Sequence, residues 1–501
     1  MANLKTNVFV SYLSQIYLIV ISLAILPIYI KYMGPEAYGL VGFFAMLQGF
    51  FNLLDFGLTP TISRQTALYN AGTETALGFR QLFRSLSIIF TVVACTGGAL
   101  LLYFNDYIAE HWLKLENLLL TEVLFCLQVM AICVALRWMT GLYRGVISGF
   151  EHIIWLSILN IVIATLRFPG VLLYMYYFGF TVKSFFVFQL AIAIIEFVLL
   201  AIKSYSLLPN LNNGFSIGWS LKPVKPLLGF ALTIAFTSSV WVLLTQIDKF
   251  VLSGILPLSE YGYFTLAVLF AGGILQIGAP ISSAIMPRMA RLYGEKNYHE
   301  LKDLYLNSTQ FVTVIVVTAG IVLAVLAEVV LYVWTGDVEI AKKAAPILQL
   351  YTIGNTILTL GAFPYYLQYA KGNLRLHFIG YLVMLIVLVP AIIWSAKNYG
   401  AIGAGWAWVS IQLVYLIGWV SYVHKIVEPK INIQWFGTFL PNIFYVSLVL
   451  YGLCYLFDFS TQRNIAFIQI ALISLCCLIV SCLSSCKMRQ LIHYKILKRV
   501  L

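Results

Sequence analysis

Long apolar segments follow one another along almost the whole chain, and they constrain its fold more than any other feature. Each is close to the roughly 20 residues that an α-helix needs to cross a bilayer. Because hydrocarbon offers the backbone no hydrogen-bond partner, such segments must form helices or a closed barrel, and their continuous apolar character excludes the alternating strands of a barrel. The sequence therefore predicts an all-α polytopic membrane protein with fourteen transmembrane helices. The predicted spans are residues 8–30, 38–56, 86–104, 118–136, 153–178, 182–202, 227–256, 261–286, 308–334, 345–369, 378–396, 401–423, 436–457 and 465–486.

The few charged residues predict how the chain is oriented. Only 10% of the 501 residues are charged, and the connections between spans are too short for a separate soluble domain. With the N-terminus placed in the cytoplasm, Lys and Arg are about threefold more frequent in inner than in outer connections, as the positive-inside rule requires. An even number of spans then puts both termini in the cytoplasm. The same bias accounts for the net charge of +12, so no nucleic-acid partner is expected.

A short pattern recurs along the chain and predicts its division into lobes. Tyr38-Gly39 and Tyr261-Gly262 lie 223 residues apart, each after an outer turn and before an apolar span. Six spans separate the copies, so both run in the same direction, as in the parallel repeats of some transporters. The predicted organisation is an N-terminal six-helix lobe (1–203), a cytoplasmic linker (204–226), a C-terminal six-helix lobe (227–424), and two extra helices with a basic cytoplasmic tail (425–501).

Arg167 is the most informative charged residue, because it lies near the middle of the fifth predicted span. Pro169 and Gly170 follow closely and should disturb the helix. Charge inside a bilayer is costly and usually functional, so an arginine beside a helix irregularity suits a pocket for an anion. The alternative is a structural ion pair, for example with Glu196.

Four acidic or basic residues complete the candidate site. Lys249 would be the second lobe's counterpart of Arg167, and Asp248 would be a counter-ion or a proton site; as helix neighbours, they cannot pair well with each other. Glu196 could be a coupling carboxylate or one half of a buried pair. Asp55 lies closer to a membrane face, where a solvated position competes with a coupling or counter-ion role.

Other motifs add little chemistry. No nucleotide-binding phosphate loop, catalytic triad or zinc spacing occurs, so no cofactor, metal site or catalytic residue is predicted. Gly141, Gly145 and Gly149 recur every four residues and predict a smooth helix face for close packing.

Four groups of residues carry a resemblance to a known family. They are Tyr32-Met33-Gly34-Pro35-Glu36-Ala37-Tyr38-Gly39-Leu40, Leu53-Leu54-Asp55-Phe56-Gly57-Leu58, Gln246-Ile247-Asp248-Lys249-Phe250-Val251-Leu252-Ser253, and Glu260-Tyr261-Gly262-Tyr263-Phe264 with Pro287-Arg288 and the basic loop to Leu304. Over about residues 1–425 the chain resembles the bacterial polysaccharide transporters. These are the O-antigen and capsule repeat-unit flippases of the multidrug/oligosaccharidyl-lipid/polysaccharide exporter superfamily.

The resemblance implies a flippase rather than an enzyme. It would carry an undecaprenyl-pyrophosphate-linked oligosaccharide from the inner to the outer leaflet of the bacterial inner membrane by alternating access, driven by an ion gradient. Arg167 and Lys249 would bind the pyrophosphate, whereas Glu196, Asp248 and Asp55 are the coupling or counter-ion candidates. The expected partners are the lipid-linked oligosaccharide, membrane lipids and other polysaccharide-assembly proteins. The alternatives are a cation-coupled multidrug exporter and a membrane glycosyltransferase or polymerase.

Overall fold

Helices and turns form nearly all of the described structure. The computed structural model describes residues 4–55, 57–72, 74–210, 224–225, 228–429 and 431–485, and the predicted basic tail and most of the predicted linker lie outside these ranges. In the described residues the only pairing of the β type that we identify is an isolated bridge between Lys114 and Pro257. The prediction of an all-α protein is confirmed.

The structure divides into two compact units, Met1–Gly262 and Tyr263–Leu501. The described residues of the first unit form ten helices and the start of α11, with a 3₁₀ turn at Asn52–Asp55 and wide π turns at Ile108–Trp112 and Leu166–Gly170. Its helices are α1 (Leu4–Met33), α2 (Pro35–Phe51), α3 (Leu58–Asn70), α4 (Ala76–Tyr103), α5 (Asn105–Tyr107), α6 (Leu120–Gly149), α7 (Ile153–Thr165), α8 (Val171–Phe178), α9 (Val182–Leu207), α10 (Leu228–Ile255) and α11 (Leu258–Ala271).

The second unit contains the rest of α11 and the remaining helices, with π turns at Thr313–Val317 and Tyr415–Trp419. The helices are α12 (Gly273–Gly294), α13 (Tyr298–Val312), α14 (Thr318–Val325), α15 (Ala327–Thr335), α16 (Val338–Gly361), α17 (Phe363–Ala370), α18 (Arg375–Val414), α19 (Val420–Val427), α20 (Ile431–Phe436), α21 (Leu440–Leu456) and α22 (Arg463–Ser484). Because α10 belongs to the first unit, the lobe boundaries drawn from the sequence stay a prediction.

Eleven helical segments in the described residues are long and apolar enough to cross a membrane. The longest, Arg375–Val427, covers two predicted spans. Its helix α18 is interrupted at Tyr399 and Gly400, where Gly400 takes a φ of 59°. The chain is therefore a multi-pass membrane protein, while the count of fourteen spans and the cytoplasmic position of both termini stay predictions.

The glycine stripe of α6 packs against α3. A Cβ atom at Gly145 would lie 2.6 Å from the side chain of Ile62, and one at Gly149 would lie 2.5 Å from the carbonyl oxygen of Ser63. No side chain larger than hydrogen fits at such distances, so the two backbones approach closely along this face. The predicted packing role of the stripe is confirmed.

The two copies of the Tyr-Gly pattern contact each other reciprocally within the first unit. A Cβ atom at Gly39 would lie 2.2 Å from the carbonyl oxygen of Leu258, and a Cβ atom at Gly262 would lie 2.2 Å from that of Pro35. Pro35 and Leu258 are themselves separated by the repeat offset of 223 residues. The glycine of each copy therefore packs against the same position in the other copy. Two repeats related by a local twofold axis are expected to make such a pair of contacts.

A buried carboxylate fixes the loop beside this contact. Glu36 accepts hydrogen bonds from the consecutive backbone N–H groups of Glu116, Asn117 and Leu118 at 2.7–3.2 Å. The Glu116 carboxylate in turn accepts from the N–H of Ser259 at 3.1 Å. Backbone N–H groups that converge in this way form a binding site for an anion, here filled by the protein's own side chain.

The last two helices are attached to the rest of the second unit by polar as well as apolar contacts. Arg463 donates to the carbonyl oxygens of Val333 and Trp334 at the end of α15. Asn442 of α21 donates to the Ser481 hydroxyl of α22 at 2.7 Å, and Ser481 donates to the carbonyl of Val314. Because such groups have no alternative partner in hydrocarbon, these bonds hold α21 and α22 in register.

The reciprocal glycine contact leads to a stability prediction. Gly39→Ala and Gly262→Ala should each lower the free energy of unfolding by about 1–3 kcal/mol, because a methyl group forces the crossing backbones apart. The matched control is Gly452→Ala in α21, where an added Cβ meets no atom within 4 Å. The measurement is the temperature at which half of the detergent-purified protein stays monodisperse. Equal behaviour of all three variants would contradict the close approach.

Candidate functional site

Two equivalent polar contacts join α6 to α9 in the first unit. Arg137 Nη2 donates to Gln189 Oε1 at 2.6 Å, and Arg144 Nη2 donates to Glu196 Oε1 at 2.6 Å. The two arginines are seven residues apart, as are their partners, and seven residues return a helix to nearly the same face after two turns. Parallel helices with this spacing therefore place one contact directly above the other.

Arg167 joins the same group from the irregular segment between α7 and α8. Its Nη2 donates to Glu196 Oε2 at 2.6 Å. Arg167 lies in the π turn Leu166–Gly170, where Pro169 lacks a backbone donor. The helix continues as α8, so the predicted irregularity is a local widening. We call Arg137, Arg144, Arg167, Gln189 and Glu196 the arginine cluster.

Side chains from two other helices hydrogen-bond to the backbone carbonyls of the wide turn. The Tyr29 hydroxyl of α1 donates to the carbonyl of Phe168 at 2.8 Å, and Gln189 Nε2 donates to the carbonyl of Arg167 at 3.0 Å. Gln189 thus accepts from Arg137 and donates to the segment that carries Arg167. These bonds fix the position of Arg167 relative to the other two arginines.

Glu196 is shared between two guanidinium groups, one on each carboxylate oxygen. Its side chain is 6% exposed, whereas those of Arg167 and Arg144 are 24% and 30% exposed. Arg144 also donates to Asn160 Oδ1 at 2.7 Å. The ion pair named as the alternative for Arg167 therefore exists, but the arginines are not fully enclosed. The side chains of Arg167 and Arg144 thus stay partly accessible although both are paired with Glu196.

The third arginine has neutral partners. Besides its bond to Gln189, the Arg137 guanidinium lies 5.0 Å from the centroid of the Phe44 ring. The Nε atoms of Arg137 and Arg167 are both buried and have no hydrogen-bond partner in the described structure. A buried N–H without an acceptor costs about 1–3 kcal/mol. The arginine cluster therefore combines three cations, one carboxylate and two buried N–H donors that have no partner among the described residues.

Asp248 and Lys249 lie on α10 and contact each other only weakly. Lys249 Nζ lies 3.5 Å from Asp248 Oδ1 and donates to the carbonyl of Thr245 at 2.5 Å. The Asp248 side chain is 5% exposed and that of Lys249 is 21% exposed. A separation of 3.5 Å is long for a charged hydrogen bond, in keeping with the expectation that helix neighbours pair poorly.

Asp55 has a local structural contact. Its carboxylate accepts from the Thr59 hydroxyl at 2.5 Å and from the Thr59 backbone N–H at 3.2 Å. Gly57, with a φ of 68°, makes the turn that brings these groups together at the start of α3. Asp55 therefore stabilises the beginning of a helix, as acidic residues commonly do.

An apolar pocket of about 400 Å³ lies elsewhere in the first unit. Phe43, Phe51, Trp112 and Phe250 are among its lining residues, and none of the described residues that line it is charged. The one indole N–H on its wall, that of Trp112, already donates to Ser253 Oγ at 3.0 Å. This pocket can take hydrocarbon but offers nothing to a phosphate, and none of the predicted site residues lines it.

Sequence reasoning found Arg167 and Glu196 but missed Arg137 and Arg144. The fourth predicted span ended at residue 136, which put both arginines in the cytoplasmic loop, whereas α6 continues to Gly149. The glycine stripe at 141, 145 and 149 was the available signal, because close helix packing extends the helix past both arginines. Among the described residues, no group of three or more His, Cys, Asp or Glu side chains could hold a metal ion.

The chain is similar to known transporters over most of its length. A family model described as "Polysaccharide biosynthesis protein" matches residues 4–293, and the model "MatE" matches residues 233–393. A Shigella flexneri protein named "Putative O-antigen transporter" is 22% identical over 387 residues, which are 76% of this chain and 88% of that protein.

Solved structures show the same fold at low sequence identity. "Lipid II flippase MurJ, inward closed conformation" matches with a TM-score of 0.75 at 16% identity, covering 97% of this chain and 99% of MurJ. An inward-facing multidrug resistance MATE family transporter of the MOP superfamily matches with a TM-score of 0.63 at 16% identity, covering 82% and 96%. These relatives are transporters rather than enzymes, which confirms that part of the sequence-based prediction.

The contact between Tyr29 and the wide turn leads to a second prediction. Tyr29→Phe should lower the free energy of unfolding by about 0.5–1.5 kcal/mol, because the partly buried Phe168 carbonyl loses its hydrogen-bond donor. Tyr176→Phe is the control, since Tyr176 is 73% exposed. Thermal unfolding of the purified variants in detergent measures the difference. A Tyr29→Phe protein as stable as the control would show that this hydroxyl does not support the turn.

Proposed function

Since this chain belongs to the polysaccharide biosynthesis protein family, we propose that it is a flippase for a lipid-linked oligosaccharide. Its substrate would be a repeat unit on undecaprenyl pyrophosphate, moved from the inner to the outer leaflet of the bacterial inner membrane by alternating access. The product would serve the assembly of a surface glycan such as O-antigen or capsule, together with other polysaccharide-assembly proteins. The arginine cluster is the observation that carries this proposal.

The chemistry of the arginine cluster suits a pyrophosphate. Three guanidinium groups and one carboxylate leave a surplus of two positive charges. Arginine binds phosphate oxygens in a fixed, forked geometry, and its hydrogen bonds to charged acceptors are about twice as strong as neutral ones. The buried Nε atoms of Arg137 and Arg167 provide donors that the described residues leave unused. In this proposal Arg167 would have the headgroup-binding role expected from the sequence.

The protein would lower the barrier by replacing water around the headgroup. Moving an isolated charge into hydrocarbon costs tens of kcal/mol in the idealised limit. Arginine side chains within the membrane would supply the missing hydrogen bonds and opposite charge while the polyprenyl tail stays in lipid. Lys249 would assist as a second cationic position, since its side chain is partly exposed and only loosely held by Asp248.

Asp248 is the leading candidate for coupling to an ion gradient. Glu196 is held by two arginines, and Asp55 is held by Thr59 at the start of a helix. Within the described part of the chain, the Asp248 carboxylate has Lys249 as its cationic partner, and that contact is weak. A buried carboxylate with one weak cationic partner can exchange a proton or a cation with less disruption than one fixed by two arginines.

The membrane topology is part of the same proposal. We infer fourteen transmembrane helices with both termini in the cytoplasm, arranged as two six-helix lobes and two further helices. The support is the distribution of Lys and Arg along the sequence and the mutual contact of the two Tyr-Gly copies.

A cation-coupled multidrug exporter is the second candidate, because the MatE model matches residues 233–393. A site for cationic drugs should be acidic and aromatic, whereas the arginine cluster would repel a cation. A glycosyltransferase or polymerase is disfavoured by the transporter fold of the relatives and by the short connections between spans.

Deletion of the gene in the native bacterium separates these candidates. A flippase predicts that the lipid-linked repeat accumulates in the inner leaflet and that surface glycan is lost. The leaflet is read from the access of a membrane-impermeant sugar-modifying reagent to intact cells and to inverted vesicles. Unchanged surface glycan together with new drug sensitivity would contradict the flippase and support the exporter.

Arg137→Gln tests the arginine cluster in the same cells. The change removes one positive charge without leaving a buried carboxylate unpaired, because the partners of Arg137 are Gln189 and an aromatic ring. Surface glycan made by the deletion strain carrying this variant should fall at least about tenfold, the equivalent of 1.4 kcal/mol of barrier.

The matched control is Lys397→Gln, which removes a positive charge from an exposed position on α18. Membrane levels of both variants are measured by immunoblot. Normal glycan with Arg137→Gln at wild-type protein levels would show that the arginine cluster does not carry the headgroup.

A further inference from the structure

The net charge of the arginine cluster depends on one side chain. Two stacked contacts join the same pair of helices, and both begin at an arginine on α6. On α9 the first contact ends at the neutral Gln189 and the second at the anionic Glu196. The two partners have nearly the same size but differ by one negative charge. They also differ in their bonds to Arg167, since Gln189 donates to its carbonyl and Glu196 accepts from its guanidinium. The negative charge of Glu196 reduces the net positive charge of the arginine cluster, which we call its surplus, from three to two.

Glu196 does not occupy the donors that a ligand would need. Glu196 accepts one hydrogen bond from Arg144 Nη2 and one from Arg167 Nη2. Within the arginine cluster, the buried donors without a partner among the described residues are the Nε atoms of Arg167 and Arg137. Glu196 therefore leaves those N–H groups free, and the charges of Glu196 and of an anion bound by the arginines would add.

We propose that Glu196 is a specificity-determining residue that sets the charge of the arginine cluster and thereby selects headgroups with two negative charges. This inference rests on the proposed function. Each phosphate of a sugar-linked diphosphate diester carries one charge, so the diester neutralises the surplus of two. A phosphate diester carries one negative charge and leaves one positive charge uncompensated. In a diphosphate with a free end, the terminal phosphate alone carries about −1.5 to −2, so the total negative charge exceeds the surplus of two.

Charge matching matters because the site has a low dielectric constant. Water screens an uncompensated charge strongly, whereas the same charge costs much more in a partly buried site, so a mismatch of one unit can separate ligands of similar shape. Glu196 would act through the arginines rather than by touching the ligand, which makes it a positioning residue in the binding site. The substrate class selected is a lipid-linked sugar diphosphate, over the sugar monophosphate and over the free lipid diphosphate.

Three water-soluble lipid analogues with a short farnesyl chain and different headgroup charges test this inference. They are farnesyl phosphoryl-glucose, with one negative charge, farnesyl diphosphoryl-glucose, with two, and farnesyl diphosphate, with about three at neutral pH. Dissociation constants are measured on the purified full chain in lipid nanodiscs by equilibrium dialysis. The wild-type protein should bind the doubly charged probe at least about tenfold more tightly than either of the others.

Variants at the two stacked contacts should change this order in opposite directions. Glu196→Gln raises the surplus to three, so farnesyl diphosphate should become the tightest ligand. Gln189→Glu lowers the surplus to one, so farnesyl phosphoryl-glucose should become the tightest. The double variant Glu196→Gln with Gln189→Glu exchanges the charged and neutral partners, keeps a surplus of two, and should restore the preference for the doubly charged probe.

The pattern distinguishes charge setting from simple support of the structure. If Glu196 only held the arginines in place, its substitution would weaken all three probes together, and the double variant would not restore the order; either result would overturn the inference. Size-exclusion profiles show whether each variant is folded, and the Gln189→Glu protein tests the inference where Glu196→Gln does not fold. Failure of the wild-type protein to bind any probe would refute the proposed headgroup site, whereas binding with an unchanged order in all variants would refute only the role of Glu196.

Discussion

The bonds from Glu196 to Arg144 and Arg167 are the interaction on which the rest of the site depends. Three guanidinium groups this close would repel one another strongly in a weakly polar environment, and one carboxylate shared between two of them allows the group to exist. The carboxylate does not neutralise the group. What remains is a surplus of two positive charges, with N–H donors that no described residue uses, in a protein whose composition otherwise avoids charge.

The sequence alone predicts some features of the structure, because a segment that crosses hydrocarbon must be long, apolar and helical. Apolar length predicts the helices, and an arginine near the middle of a span points to the site. The repeat of Tyr38-Gly39 and Tyr261-Gly262 was readable, but their reciprocal contact was not, since only coordinates show that each glycine approaches a backbone carbonyl of the other copy. A repeat in sequence thus corresponds to a local symmetry in packing.

Of the five residues of the arginine cluster, the sequence points only to Arg167 and Glu196, for a definite physical reason. The fourth predicted span ends at residue 136, which places Arg137 and Arg144 outside the membrane, although hydrogen bonding in α6 continues for twelve residues beyond Arg137. Charged residues can lie within a long helix when they have partners, and those partners, Gln189 and Glu196, lie 52 positions away on another helix. Pairing over such a distance cannot be read from spacing in one sequence.

A structure of the full chain with bound farnesyl diphosphoryl-glucose, solved in lipid nanodiscs, tests the central claim most directly. The account predicts phosphate oxygens within about 2.7–3.2 Å of guanidinium nitrogens of Arg137 and Arg167. It also predicts that Glu196 still accepts from Arg144. A headgroup bound elsewhere, with the arginine cluster unchanged and unoccupied, would contradict it.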